Sequence, residues 1–167
     1  MLQIYTGNGK GKTTAALGLA LRAAGAGKKV FLCQFLKKGN CAEHVSLKKI
    51  KTVTCRQFGA GCFLQRAPSL KDKASLRKGL KASARAIASG KYGLVIMDEV
   101  NVALALKLLP LEEILSLVKS CPESVELVLT GRHAHPKIIA CADLVSRVNQ
   151  VKHYFRKGVR ARKGIEY

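Results

Sequence analysis

A chain of 167 residues, 48% of them hydrophobic, is long enough for one domain with a sizeable core and too apolar to be disordered. No apolar run approaches the length of a membrane span, which excludes a helical integral membrane protein. The formal net charge of +20 is extreme for a chain of this size and draws polyanions: nucleotides, nucleic acid or acidic proteins.

The first predicted element is a short apolar strand over residues 2–5. It runs into Thr6-Gly7-Asn8-Gly9-Lys10-Gly11-Lys12-Thr13-Thr14, and a helix rich in Ala and Leu follows over 13–26. Strand, glycine-rich loop, Lys-Thr and helix together make a holder for a triphosphate. Glycines let successive backbone N–H groups turn inward as an anion nest, and the helix N-terminus adds partial positive charge at the same place. Lys12 sets an ammonium between phosphates, and the Thr13 hydroxyl suits Mg²⁺. Thr6 stands where the usual P-loop spacing has its first glycine, so the loop is a variant. Thr14 is either a further phosphate contact or a residue of the first helical turn.

Strands are expected next at 29–35 and 52–58. Residues 37–69 are otherwise the least regular stretch, with Gly39, Gly59, Gly61 and Pro68, and read as a lid or substrate loop. A helix over 70–89 leads to a strand over 93–98, which ends in Asp98-Glu99. A carboxylate at the C-terminal end of such a strand faces the crevice where α/β sheets bind ligands, and in P-loop proteins it serves Mg²⁺. The two acids point in different directions, so one reaches the metal directly. Helices follow over 101–108 and 111–120, the second opened by Pro110 and closed before Pro122. A strand over 125–130 ends in Thr130-Gly131-Arg132, where Arg132 either meets a phosphate by a forked hydrogen-bond pair or is a surface arginine after a turn. A helix over 136–141 and a strand over 144–148 complete the pattern. Several of the strands are near-continuous Val, Leu and Ile runs, as in sheets buried on both faces. Alternation with helices predicts an α/β fold of three layers, P-loop NTPase-like (RecA-like), with a mostly parallel sheet and one domain over 1–167.

Cys33, Cys41, Cys55, Cys62, Cys121 and Cys141 form no C-x-x-C pair, so zinc-ligand spacing is missing and reduced thiols are expected. His133 and His135 lie two apart with no carboxylate beside them, which makes a poor metal site. No leader is expected, because the chain opens directly on strand and loop, and the cytoplasm is the default location. Acids are absent before Glu43. They are absent again from Leu144 to Ile165, a stretch holding Arg147, Lys152, Arg156, Lys157, Arg160, Arg162 and Lys163.

These residues define a nucleotide site without saying what is done with the nucleotide. The chain resembles the P-loop ATP:corrinoid adenosyltransferases, which make adenosylcobalamin. The likeness is carried by Tyr5 through Ala16 with Gly18-Leu19-Ala20, then Gln34-Phe35, then Met97-Asp98-Glu99. Leu127 through Arg132, Ala142 through Val145, Lys152-His153, Lys157-Gly158-Val159 and the closing Lys163-Gly164-Ile165-Glu166-Tyr167 extend it across nearly the whole length. Thr6 in the loop is that family's own form.

The resemblance implies a reaction in which a Co(I) corrinoid attacks the ribose 5′ carbon of ATP and the whole triphosphate leaves. It implies ATP lying reversed in the loop. Triphosphate binding then falls to Gly7, Asn8, Gly9, Lys10, Gly11, Lys12, Thr13 and Thr14, with Arg132 beside them. Mg²⁺ falls to Thr13 and Glu99, with Asp98 in support, and catalysis to Lys12, Thr13 and Glu99. It implies a homodimer, and the basic surface suits an acidic reductase such as a flavodoxin. The chain departs from relatives in two places. Cys62 and Leu64 stand where relatives place aromatic residues under the corrin, with Phe63 between them as the substitute after a one-residue slip. Relatives carry a Gly-Glu pair after Gln34-Phe35, but Lys37-Lys38-Gly39-Asn40-Cys41 lacks the acid. Two other readings fit parts of the pattern: a basic P-loop ATPase that binds nucleic acid, and a binder of ATP or corrinoid without turnover. Few aromatic residues for base stacking stand against the first.

Overall fold

The computed structural model describes residues 1–39, 41–59 and 68–166. Six strands, β1 (Leu2–Thr6), β2 (Val30–Phe35), β3 (Val53–Phe58), β4 (Leu94–Asp98), β5 (Glu126–Thr130) and β6 (Leu144–Arg147), form one sheet in the order β3-β2-β4-β5-β1-β6. Every neighbouring pair is parallel. The sequence places all six within a residue at either end, and in β2, β4 and β5 burial on both faces writes the strand as a nearly unbroken apolar run. β2 and β4 are buried at every position, whereas β6, at the edge, is exposed throughout.

Helices cover both faces. On one face lies α1 (Lys12–Gly25), whose buried Ala16, Ala20 and Ala23 recur at helical spacing against Val30, Leu32, Leu94, Ile96 and Val128. Small side chains let this helix lie close to the sheet. A short helix, α2 (Ala42–Leu47), adds Leu47 to the same face. The sequence reads this stretch as irregular. Six residues with one buried anchor show no measurable period, so α2 is a correction to that reading. On the other face pack α3 (Leu70–Ala88), α4 (Val100–Ala105), α5 (Leu111–Lys119) and α6 (Pro136–Ile139), around Phe31, Phe35, Leu76, Met97, Ile114, Leu127 and Leu129. A capping box between Ser69 and Asp72 starts α3. Its Gly79 lets the helix approach Phe58, since an added Cβ would come within 2.9 Å of that ring. A 3-10 turn, Tyr154–Lys157, follows β6. No helix among the described residues is long and apolar enough to cross a membrane.

Candidate nucleotide-binding site

The pleat of the sheet builds the site. Alternate residues of β2, β4 and β5 face α1: Val30 and Leu32, Leu94 and Ile96, then Val128. Continuing that alternation to the C-terminal ends puts Gln34, Asp98 and Thr130 on the same face, in a row. Gln34 pairs in register with Asp98 on one side and with Gln57 on the other. Gln34, Asp98 and Thr130 are fully buried.

Asp98 is the hub. Its Oδ1 accepts from the Thr13 hydroxyl at 2.8 Å and from the Thr130 hydroxyl at 2.6 Å. Its Oδ2 accepts from Gln34 Nε2 at 3.1 Å and Lys37 Nζ at 3.0 Å. Four donors meet this one carboxylate in a place without solvent, so both of its oxygens are satisfied. The Gln34 amide is fixed in turn, because its Oε1 faces Gln57 Nε2 at 3.3 Å and the ring of His44. The Glu99 backbone N–H donates to Thr130 at 3.0 Å. Glu99 itself takes a left-handed conformation, φ 62°, just after β4 ends, and lines the cavity above Asp98. The sequence reading of the two acids assumed that strand geometry runs on through Glu99, whereas β4 ends at Asp98.

Above this row lies a cavity of about 650 Å³. Gly9, Lys10, Gly11, Lys12, Thr13 and Thr14 form its floor, and Lys37, Glu43, Glu99 and Arg132 stand in its walls. His153, Gly164, Ile165 and Glu166 of the C-terminal segment close it from above. The cavity therefore gathers Lys10, Lys12, Thr13, Thr14, Glu99 and Arg132 of the sequence-predicted set. Gly7 and Asn8 line a separate cavity with Arg147, Asn149 and Arg156, on another side of the loop. Cys62, Phe63 and Leu64 lie outside the described residues.

The loop is tightly held. Lys12 Nζ donates to the Gly9 carbonyl at 2.7 Å, and Gly9 N–H donates to the Val148 carbonyl at 2.8 Å. Gly7, at φ 99°, has no room for a side chain: a Cβ there would lie 2.5 Å from the Val148 oxygen. At Gly9 it would lie 2.8 Å from the Asn149 oxygen. These glycines admit the chain that follows β6, a role additional to the anion nest. Thr6 is buried and its hydroxyl accepts from Ala134 N–H at 3.3 Å, tying the loop to the segment after β5.

Burial pushes the Lys12 ammonium below the usual lysine range, with Arg132 adding to the effect and Glu99 and Asp98 opposing it. Burial also pushes the Glu99 carboxyl up; Asp98 adds to this, while Lys37, Lys12 and Arg132 oppose it. For Lys37 burial works against the charge, but Asp98, Glu43 and Glu99 outweigh it and raise its pKa.

Sequence reasoning left Lys37, Glu43, Thr130 and the C-terminal contacts out of the site. Lys37 Nζ sits 3.0 Å from Asp98 and 3.6 Å from Glu43. Glu43 thus brings a carboxylate to this corner from α2, where the preceding loop has none. Glu166 pairs with Lys10 at 3.3 Å and with Arg162 at 3.4 Å, and accepts from the Tyr154 hydroxyl. Arg162 lies over the Tyr154 ring at 4.8 Å. The only sequence signal for Lys37 was its place two residues beyond Gln34-Phe35.

A parallel α/β sheet, a glycine-rich loop opening a helix, and a buried Asp bonded to the loop's Thr define a P-loop nucleotide-binding protein. The likeness in fold extends to a KaiC-like protein of the hyperthermophilic archaeon Pyrococcus horikoshii, which aligns over 91% of this chain and 74% of its own with a TM-score of 0.57 at 17% identity. Sequence similarity is more specific. Residues 1–167 match the model of the family described as ATP:corrinoid adenosyltransferase BtuR/CobO/CobP, and the chain belongs to that family. Among curated relatives, a corrinoid adenosyltransferase of Pseudomonas aeruginosa is 34% identical across 100% of this chain and 83% of its own length. That of Escherichia coli K12 is 37% identical across 98% and 84%. That of Salmonella typhimurium is 36% identical over the same shares.

Proposed function

We propose that this protein transfers the 5′-deoxyadenosyl group of ATP to the Co(I) centre of a corrinoid and releases triphosphate, in adenosylcobalamin biosynthesis or salvage. The observation that carries this reading is the full-length family match on a chain whose P-loop lysine and threonine meet Glu99 at one cavity, with Asp98 bonded to the threonine beneath it. The cobalt supplies the electron pair of the new Co–C5′ bond, the C5′–O5′ bond breaks, and the triphosphate leaves with the electrons of that broken bond. No proton moves in the step, so the site needs no general base. What it needs is positive charge held ready for the leaving group.

Lys12 provides it. Its ammonium is parked on the Gly9 carbonyl and exchanges that acceptor for phosphate oxygens. The α1 N-terminus directs its free N–H groups to the same point. Thr13, Glu99 and Asp98 fit a Mg²⁺ ion. The Thr13 hydroxyl proton is committed to Asp98, which leaves its lone pairs for a cation, and the Glu99 carboxylate makes no hydrogen bond among the described residues. Hard oxygen donors of this kind, few in number, suit Mg²⁺ shared with a polyphosphate. Thr13 and Glu99 would hold the ion and Asp98 would orient Thr13; the ion would supply charge neutralisation for the triphosphate. Arg132 adds charge from the β5 end. With this reading go a single domain, a homodimer, a cytoplasmic location and an acidic reductase such as a flavodoxin drawn to the basic surface.

The test is an anaerobic assay with ATP, Mg²⁺ and chemically reduced Co(I) cobalamin, with Lys12→Ala as control. The expected result is loss of the Co(I) band and a light-sensitive product that the variant does not form. ATP binding without any such product would overturn the reading in favour of a non-catalytic binder.

A further inference from the structure

Lys37 is not accounted for by any of the roles assigned so far. Its backbone is held at some cost. Leu36 immediately before it adopts φ 59°, a left-handed conformation that L residues avoid. The chain passes so close to Gly59 that a Cβ there would lie 2.8 Å from the Leu36 carbonyl carbon and 2.8 Å from the Lys37 nitrogen. Leu36 N–H is anchored to the Phe58 carbonyl at 3.0 Å. These contacts over-determine the turn after β2, and the turn aims Lys37 along the ends of the strands to Asp98.

The side chain stands in the wall of the nucleotide cavity and is 26% exposed. Its ammonium has three donors. Asp98 takes one at 3.0 Å and Glu43 lies 3.6 Å away. A lysine needed only to neutralise Asp98 could lie wholly beneath the cavity floor, among Gln34, Thr13 and Thr130, which already donate to that carboxylate. Instead it is placed between the floor and the open volume, in a wall that also holds Glu99 and Arg132. Of the ten Asp and Glu residues in the chain, Glu43, Glu99 and Glu166 line this cavity and Asp98 lies buried beneath it. Without Lys37, the cations Lys10, Lys12 and Arg132 would meet a triphosphate with four acids close by.

We infer that Lys37 is a triphosphate-binding residue, a second lysine of the site that reaches the polyphosphate from the turn after β2 while keeping contact with Asp98. Glu43 is its competing anchor, and holds the ammonium when no phosphate is present. This rests on the adenosyl-transfer reading, since inorganic tripolyphosphate is then the product and the ammonium faces the group that leaves.

The experiment is calorimetric titration of the full chain with inorganic tripolyphosphate, with no corrinoid and no Mg²⁺, at fixed ionic strength. Lys37→Gln keeps a donor for Asp98 and should weaken binding by about 10- to 100-fold, the range for one hydrogen bond to a charged group. Lys38→Met removes the same charge one residue along, on an exposed side chain, and should change it by about twofold or less. Glu43→Gln frees Lys37 and should tighten binding, and the gain should vanish in the double variant with Lys37→Gln. Thermal unfolding of each variant checks that it folds. If Lys37→Gln does not fold, the single Glu43→Gln variant decides, and unchanged affinity there overturns the inference. Wild-type affinity in a folded Lys37→Gln variant, or an equal loss in Lys38→Met, also overturns it while leaving the proposed function standing. Failure of the unaltered chain to bind tripolyphosphate or ATP at all would overturn both.

Discussion

Asp98 and Glu99 are adjacent carboxylates with opposite thermodynamic roles, and replacing each by its amide separates them. In Asp98→Asn the amide oxygen still accepts from Thr13 and Thr130, but the new NH₂ faces two donors, Gln34 Nε2 and Lys37 Nζ. Gln34 cannot turn over to help, because its Oε1 is engaged by Gln57 and His44. The loss of a charge-assisted bond plus a donor left without an acceptor amounts to about 3 kcal/mol. For a chain of this length that lowers Tm by roughly 6–12 °C. Glu99→Gln runs the other way. Burial raises the folded pKa of Glu99 above its ordinary 4.5, so the folded chain holds that proton more tightly than the unfolded chain. The ionised carboxylate is therefore a destabilising element above that range, and the penalty fades as pH falls toward 4.5. Glu99→Gln should match or exceed wild-type Tm at pH 8, lose that advantage near pH 5, and abolish the tightening of ATP binding by Mg²⁺. Calorimetric unfolding at the two pH values and ATP titration with and without Mg²⁺ measure all of this. A lower Tm for Glu99→Gln than for Asp98→Asn at pH 8 would refute the assignment of roles.

Three further outcomes are expected. Gly9→Ala puts a methyl 2.8 Å from the Asn149 oxygen and should cost about 1–3 kcal/mol, read as a lower denaturation midpoint; an unchanged midpoint would show that the segment after β6 yields freely. Glu166 is held down at about 2 by Tyr154, Arg162 and Lys10, so its contacts contribute stability above the ordinary 4.5 and lose it as pH falls through about 2. Protection of the amides of residues 154–166, taken relative to the intrinsic exchange rate at each pH, should fall across that window, and Glu166→Gln should lower it at pH 7; equal protection in the variant would remove the clasp. Burial pushes the Cys33 and Cys55 thiols up to about 12, so a thiolate-selective reagent at pH 7.5 should label the exposed Cys141 before either of them, and early labelling of Cys33 would contradict the packing of β2 under α3.

β2, β4 and β5 were legible because they are buried on both faces and carry their apolar residues in nearly unbroken runs. The P-loop and the strand-end acids were legible because each is local. What the sequence hid is what depends on register and on distant segments. That Gln34, Asp98 and Thr130 form one row follows from the pleat only when β2, β4 and β5 are known to be neighbours. Gly7 and Gly9 read as phosphate-binding glycines, but the chain pressing on them is residues 148–149, far along the sequence. Glu166 meeting Lys10 joins the two ends in the same way. Helix α2 was missed because its one buried anchor, Leu47, gives no period to see, and with it was missed Glu43, the acid that faces Lys37.

The central claim is that ATP is cleaved at the ribose 5′ carbon and not between phosphates. Phosphorus NMR of the products formed from ATP, Mg²⁺ and Co(I) corrinoid tests it most directly. Adenosyl transfer predicts tripolyphosphate in step with adenosylated corrinoid and no accumulation of ADP. ADP and inorganic phosphate, formed whether or not corrinoid is present, would contradict the account and mark the chain as an ordinary P-loop ATPase.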